Sequence, residues 1–75
     1  MKKPARINWM ISLRDENGKR MVIPCGTCEI EELPRHEGGC TIFWSQNGCE
    51  RTAELTPREF GYYLSDRHIV RLDNE

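Results

Sequence analysis

What this chain of 75 residues most conspicuously lacks is an unbroken apolar run. Its longest apolar stretch, residues 7–13, is interrupted by Asn8 and Ser12. That is far short of the roughly 20 residues that span a bilayer, so no transmembrane helix and no membrane partner are expected. Export is not expected either. Lys2 and Lys3 stand where an n-region would, but Arg14 and Asp15 arrive before an adequate apolar segment, and no small-residue cleavage site follows. Cytoplasmic residence is the expectation. There is no low-complexity segment, no linker and no internal repeat beyond two Asn-Gly turns, so residues 1–75 read as one small domain.

Charge of one sign is equally scarce. Eleven Lys and Arg face twelve Asp and Glu, a net −1, whereas nucleic-acid binders usually carry a strong basic surface. The only basic excess is local: residues 1–20 hold six Lys and Arg against Asp15 and Glu16, while Glu29, Glu31, Glu32 and Glu37 surround Arg35. Lys2, Lys3, Arg6 and either Arg67 or Arg71 are the cations a nucleic-acid interface would use. Catalytic constellations are missing too. His36 and His68 are the only histidines, and no Gly-rich phosphate loop or His-Glu-x-x-His helix occurs. Glu31 and Glu32 are sequence neighbours and do not point together in either regular structure. The chain reads as a non-enzyme.

What is present is enough for a packed domain: 37% hydrophobic and 31% charged residues. A core of this size gives only roughly 3–5 kcal/mol, and small proteins often add a metal, disulfides or a partner. Ile7, Trp9, Ile11 and Leu13 alternate with polar or flexible residues, as in a half-buried strand. Asn17-Gly18 then signals a hairpin returning through Met21, Val22 and Ile23. Two registers are open: a two-residue loop that sets Asp15 against Arg20, or a slip by one with Gly18 in a bulge, pairing Leu13 with Met21 and Ile11 with Ile23. Pro24 ends that strand or marks an edge.

Residues 29–33 suggest a short strand with Ile30 and Leu33 inward. Thr41-Ile42-Phe43-Trp44, Asn47-Gly48 and residues 50–55 form a second hairpin, with Trp44 facing Arg51, Ile42 facing Ala53 and Cys40 facing Leu55. Thr56-Pro57-Arg58-Glu59 has the form of a capping box with proline in the first turn. Phe60, Tyr63 and Leu64 make one apolar stripe on the helix that follows. Residues 68–72 give a last strand. The sum is an α+β domain: a small, mainly antiparallel sheet built from two hairpins, one C-terminal helix and a final strand.

Four cysteines in a reducing compartment suggest ligands or small core residues before disulfides. Cys25-Gly26-Thr27-Cys28 can present two sulfurs to one Zn²⁺. The candidate site is Cys25, Cys28, His36 and Cys40, with Cys49 as an alternative fourth ligand. Cys49 fits less well, because the hairpin register sets it about 20 Å from Cys40 at about 3.3 Å per residue. The same Cys-x-x-Cys also allows a thiol redox or metal sensor. Among the aromatics, Tyr62 falls off the helix stripe. Phe43 and Trp44 point to opposite sheet faces, so Trp44, Arg51 and Tyr62 are the candidate contacts for a partner or a homodimer.

From Gly18 to Leu72 the order of signals resembles the LytTR-type DNA-binding domain of bacterial response regulators. The matching features are Gly18-Lys19-Arg20-x-x-Ile23-Pro24, Ile30, Thr41-Ile42-Phe43-Trp44 with Asn47-Gly48, the Thr56 cap, and Ile69-Val70-Arg71-Leu72. The resemblance implies a β-rich DNA-binding regulator. The family carries basic and polar DNA contacts after its last strand, where this chain has Asp73-Asn74-Glu75. The leading expectation is therefore a small regulatory or adaptor protein that binds another protein, with nucleic-acid binding as the alternative.

Overall fold

Two consecutive left-handed residues, Asn47 (φ 53°) and Gly48 (φ 80°), close the second hairpin of the computed structural model. It describes residues 2–14, 17–33 and 38–72. Positive φ at both central positions gives a type I′ turn, whose twist matches that of the strands it joins. Strands β5 (Cys40–Gln46) and β6 (Cys49–Leu55) leave it in the anticipated register, with Trp44 opposite Arg51, Ile42 opposite Ala53 and Cys40 opposite Leu55.

The first hairpin takes the slipped register. In β2 (Ile11–Arg14) and β3 (Arg20–Ile23), Ile11 pairs with Ile23 and Leu13 with Met21. A two-residue loop would have set Ile11 against Pro24 and Ile23 against Ser12; the slip gathers the apolar residues on one face. It also sets Arg14 opposite Arg20, and Arg14 Nη1 donates to the Gly18 carbonyl at 3.0 Å.

The alternation over residues 7–13 does not produce one strand. The chain forms β1 (Lys3–Ile7), turns a corner at residues 8–10, and resumes as β2. Asn8 causes the break: its backbone N–H donates to the His68 carbonyl at 2.8 Å and its side-chain Nδ2 to the Arg67 carbonyl at 3.0 Å. Those bonds spend Asn8 on the far end of the sequence, and Trp9 is thrown outward, 56% exposed, while Ile7 and Ile11 are buried. β1 begins earlier than the apolar pattern suggests and includes Pro4. The Pro4 carbonyl accepts the Leu72 N–H at 3.1 Å, so its missing N–H falls at the very end of that ladder.

Strand β4 (Gly26–Glu32) is longer than the expected segment; Ile30 is buried, while Leu33 is exposed. The main sheet is antiparallel in the order β6-β5-β4-β1-β7, where β7 is Ile69–Arg71, and the β2–β3 hairpin forms a separate two-stranded sheet. One face carries Ile7, Ile30, Ile42, Leu55 and Ile69, which form a single buried cluster with Ile11 and Ile23 of the hairpin and Phe60 of the helix. Helix α1 (Pro57–Ser65) opens on the capping box: the Glu59 N–H donates to Thr56 Oγ1 at 3.1 Å and the Thr56 N–H to Glu59 Oε1 at 2.9 Å. Tyr63 and Leu64 pack against the core beside Phe60. At the start of β5, Gly39 (φ 72°) is buried against residue 55, where a Cβ would collide with the Leu55 carbonyl oxygen. Among the described residues no helix is long and apolar enough to cross a membrane.

Candidate functional site

At the corner between β1 and β2, the end of α1 and the turn before β7 come together and align four rings. Trp9 lies 5.5 Å from the His68 ring centroid, His68 lies 5.2 Å from Tyr63, and Tyr63 lies 5.2 Å from Tyr62. The interplanar angles of 58°, 61° and 70° are tilted to edge-on, the arrangement that aromatic quadrupoles favour. Tyr63 is on the buried stripe and Tyr62 one position off it, so the helix delivers one anchored ring and one outward ring, 62% exposed.

His68 is the middle of the row and is fixed by the turn. Asp66 Oδ1 lies 2.7 Å from its Nδ1 and also accepts its backbone N–H at 3.2 Å. Slight desolvation pushes the Asp66 carboxyl up, but the hydrogen bonds and charge from His68 outweigh it and hold the group below its ordinary value. Arg67, between them, adopts φ 67°, a left-handed conformation uncommon outside glycine, with its carbonyl held by Asn8. Cys25 joins the same corner, its thiol donating to the Asn8 carbonyl at 3.6 Å.

The other expected site residues are dispersed. Cys25-Gly26-Thr27-Cys28 does not open a helix; from Gly26 it runs along β4. Cys28 is buried opposite Ala5, and Cys25 is exposed on the preceding turn. Cys40 is buried on the same sheet face as Cys28, with the Ile30–Ile42 pair standing between the two positions. Burial pushes the Cys28 thiol up to about 11 and the Cys40 thiol up to about 12, with the charges of Glu29 and Glu32 adding to the respective shifts. Cys49 sits beside the turn at the opposite end of the hairpin from Cys40. His36 lies outside the described residues. Among the described residues no three His, Cys, Asp or Glu side chains are grouped to hold a metal ion.

Trp44 is a core residue, 7% exposed, its indole N–H donating to Gln46 Oε1 at 3.4 Å; Arg51, opposite it, is exposed. Arg71 forms a two-point ion pair with Glu32, both N–O distances 2.8 Å, and its guanidinium lies 5.6 Å from the Phe60 ring centroid. The Arg71 hydrogen bonds hold the Glu32 carboxyl below its ordinary value despite partial burial. Lys2 stands 4.2 Å over the Phe43 ring on the opposite, uncovered face. That face also carries Glu29, Glu31, Glu50 and Glu54 by register. The cations proposed for phosphate contact thus fall on different faces, and one face mixes them with carboxylates.

Sequence reasoning sets Tyr62 outward, as it stands in the structure, but the strand alternation groups Trp9 with the buried Ile7 and Ile11, and His68 is given no place beyond the last strand. The missed signal was Asn8, a residue able to satisfy a distant backbone and so break the period-2 pattern that turns Trp9 inward. No protein-family model, no curated protein and no solved structure matches this chain.

Proposed function

We propose that the chain is a small, non-enzymatic regulatory or adaptor protein that acts by binding another protein. The observation that carries this reading is the ring row Trp9, His68, Tyr63, Tyr62, exposed at both ends and held in its middle by Asp66. Trp and Tyr are favoured interface anchors because they offer large apolar area, with a polar tip, at little conformational cost. A row anchored by Tyr63 and Asp66 is ordered before the partner arrives, so binding loses less side-chain entropy.

The test is site-specific photocrosslinking in the native cell. A benzophenone side chain at Tyr62 is expected to capture a discrete protein, and the same group at Ser12, on the hairpin, is not. Capture that disappears in the Trp9→Ala background supports the ring row. No adduct at Tyr62, or equal adducts at both positions, overturns it, and an adduct of twice the chain mass assigns the surface to a homodimer.

A further inference from the structure

The two edges of the main sheet are treated differently. β7 is three residues long, whereas β6 is seven residues long, without proline or bulge, in unbroken register with β5. Long, regular edges are the ones that proteins ordinarily blunt. With Asn47-Gly48 as a two-residue loop, Gln46 and Cys49 form a hydrogen-bonded pair, and so by alternation do Trp44 with Arg51 and Ile42 with Ala53. The N–H and C=O groups of Glu50, Thr52 and Glu54 therefore point away from β5. Among the described residues no backbone hydrogen bond reaches them.

Beside this edge, the β2–β3 hairpin and β5–β6 enclose an open cleft of about 460 Å³. Lys19, Arg20, Val22, Trp44, Arg51 and Thr52 line it. Arg20 and Arg51 have no ion-pair partner among the described residues. On the opposite face the same edge shows Glu50 and Glu54.

We propose that β6 receives an extended segment of another protein as an added strand, with acidic side chains toward Arg51 and Arg20 and basic ones toward Glu50 and Glu54. Main-chain pairing with Glu50, Thr52 and Glu54 supplies affinity, and the alternation of charge supplies specificity. A second copy of the chain fits less well. Antiparallel self-pairing centred on Thr52 sets Glu50 against Glu54 twice, and pairing centred on Arg51 sets two guanidinium groups face to face, both unfavourable. This site shares no residue with the ring row and stands or fails independently of it.

The probe is the heptapeptide Thr-Glu-Lys-Val-Lys-Glu-Thr, which puts Glu and Val on one side of a strand and Lys on the other. Its control, Thr-Glu-Glu-Val-Lys-Lys-Thr, has the same composition without that alternation. Titrated into the ¹⁵N-labelled full chain, the probe is expected to shift the amides of Glu50, Thr52 and Glu54 and to slow their hydrogen exchange. Affinity should fall at least tenfold for the control, and for the probe with Arg51→Glu or Thr52→Pro. Arg51→Glu alters an exposed side chain and reads the site even if Thr52→Pro perturbs the fold. Trp9→Ala should leave the titration unchanged. Absence of binding, equal binding of the control, indifference to Arg51→Glu, self-association through the same amides, or tighter binding there by a single-stranded oligonucleotide overturns the proposal.

Discussion

The four thiols should separate into two classes under a thiol-specific reagent at pH 8. Cys25 and Cys49 are exposed, while Cys28 and Cys40 are buried. Against an ordinary thiol at 9.0, Cys28 at about 11 and Cys40 at about 12 hold about 100-fold and 1,000-fold less thiolate at that pH, and thiolate is the reacting species. Steric occlusion adds to this, since Cys40 is fully covered. Global unfolding offers a second route: a stability of roughly 3–5 kcal/mol suppresses it by about 100-fold to 5,000-fold. Low concentrations of urea accelerate the second route and leave direct attack almost unchanged, so the two are separable. Time-resolved mass spectrometry of maleimide-treated protein should show two fast additions, mapped to Cys25 and Cys49, and two slow ones. Labelling of Cys28 or Cys40 within tenfold of the fast pair, in the absence of urea, would refute the reasoning. Zinc added beforehand should leave Cys25 fast, because Cys28 points inward; protection of Cys25 that is lost in His36→Ala would instead establish the four-ligand site.

Three further outcomes follow from single contacts. Gly39→Ala should destabilise the fold by about 1–3 kcal/mol through left-handed strain and the clash with the Leu55 carbonyl, read as a lowered urea midpoint at unchanged slope; an unchanged midpoint would count against the placement of β5. Thr56→Ala should cost about 1 kcal/mol, and Glu59→Ala should add little in that background, because the two side chains act as one cap. The Glu32 carboxyl is lowered by Arg71, so its contribution is present above the ordinary value of 4.5 and is lost as pH falls through the lower folded value. Acid titration of Glu32→Gln should therefore show a shallower loss of stability below pH 4.5 than the parent chain, and identical curves would show the pair to be idle.

What was legible in the sequence was local. Asn47-Gly48 sets two backbone angles, and those angles fix the β5–β6 register; Thr56, Pro57 and Glu59 satisfy orphan N–H groups within one turn. The first hairpin was undecided because Met21, Val22 and Ile23 carry no alternation, and only burial against the main sheet selects Ile23 over Val22. The β1–β2 break lay beyond reach, since its cause is a hydrogen bond spanning 59 positions. Trp9 shows the consequence: a residue that alternation turns inward is exposed because Asn8 was claimed from far away. The cysteines teach a related point. Spacing alone suits a metal knuckle, yet Ala5 pairs with Cys28 and draws the second thiol into a ladder that the spacing does not reveal.

The strand order gives the two proposed surfaces a relation that can itself be tested. The ring row adjoins β1 and β7, whereas the peptide edge is β6, three and four strand spacings away respectively, or about 14–19 Å at about 4.8 Å each. Between them stands a buried layer that includes Ile30 and Ile42, both with no exposed surface. Sites more than about 10 Å apart with no shared partner combine additively. A double variant, Trp9→Ala with Arg51→Glu, should therefore lose crosslinking at Tyr62 to the same extent as Trp9→Ala alone. It should lose heptapeptide affinity to the same extent as Arg51→Glu alone, with the urea midpoint shifted by the sum of the single shifts. Such a result describes a bridge whose two ends bind without consulting one another. A double variant that restores or deepens either loss by more than about threefold would mean that the β-sheet transmits a change from one edge to the other, and the chain would then act as a switch in place of an adaptor.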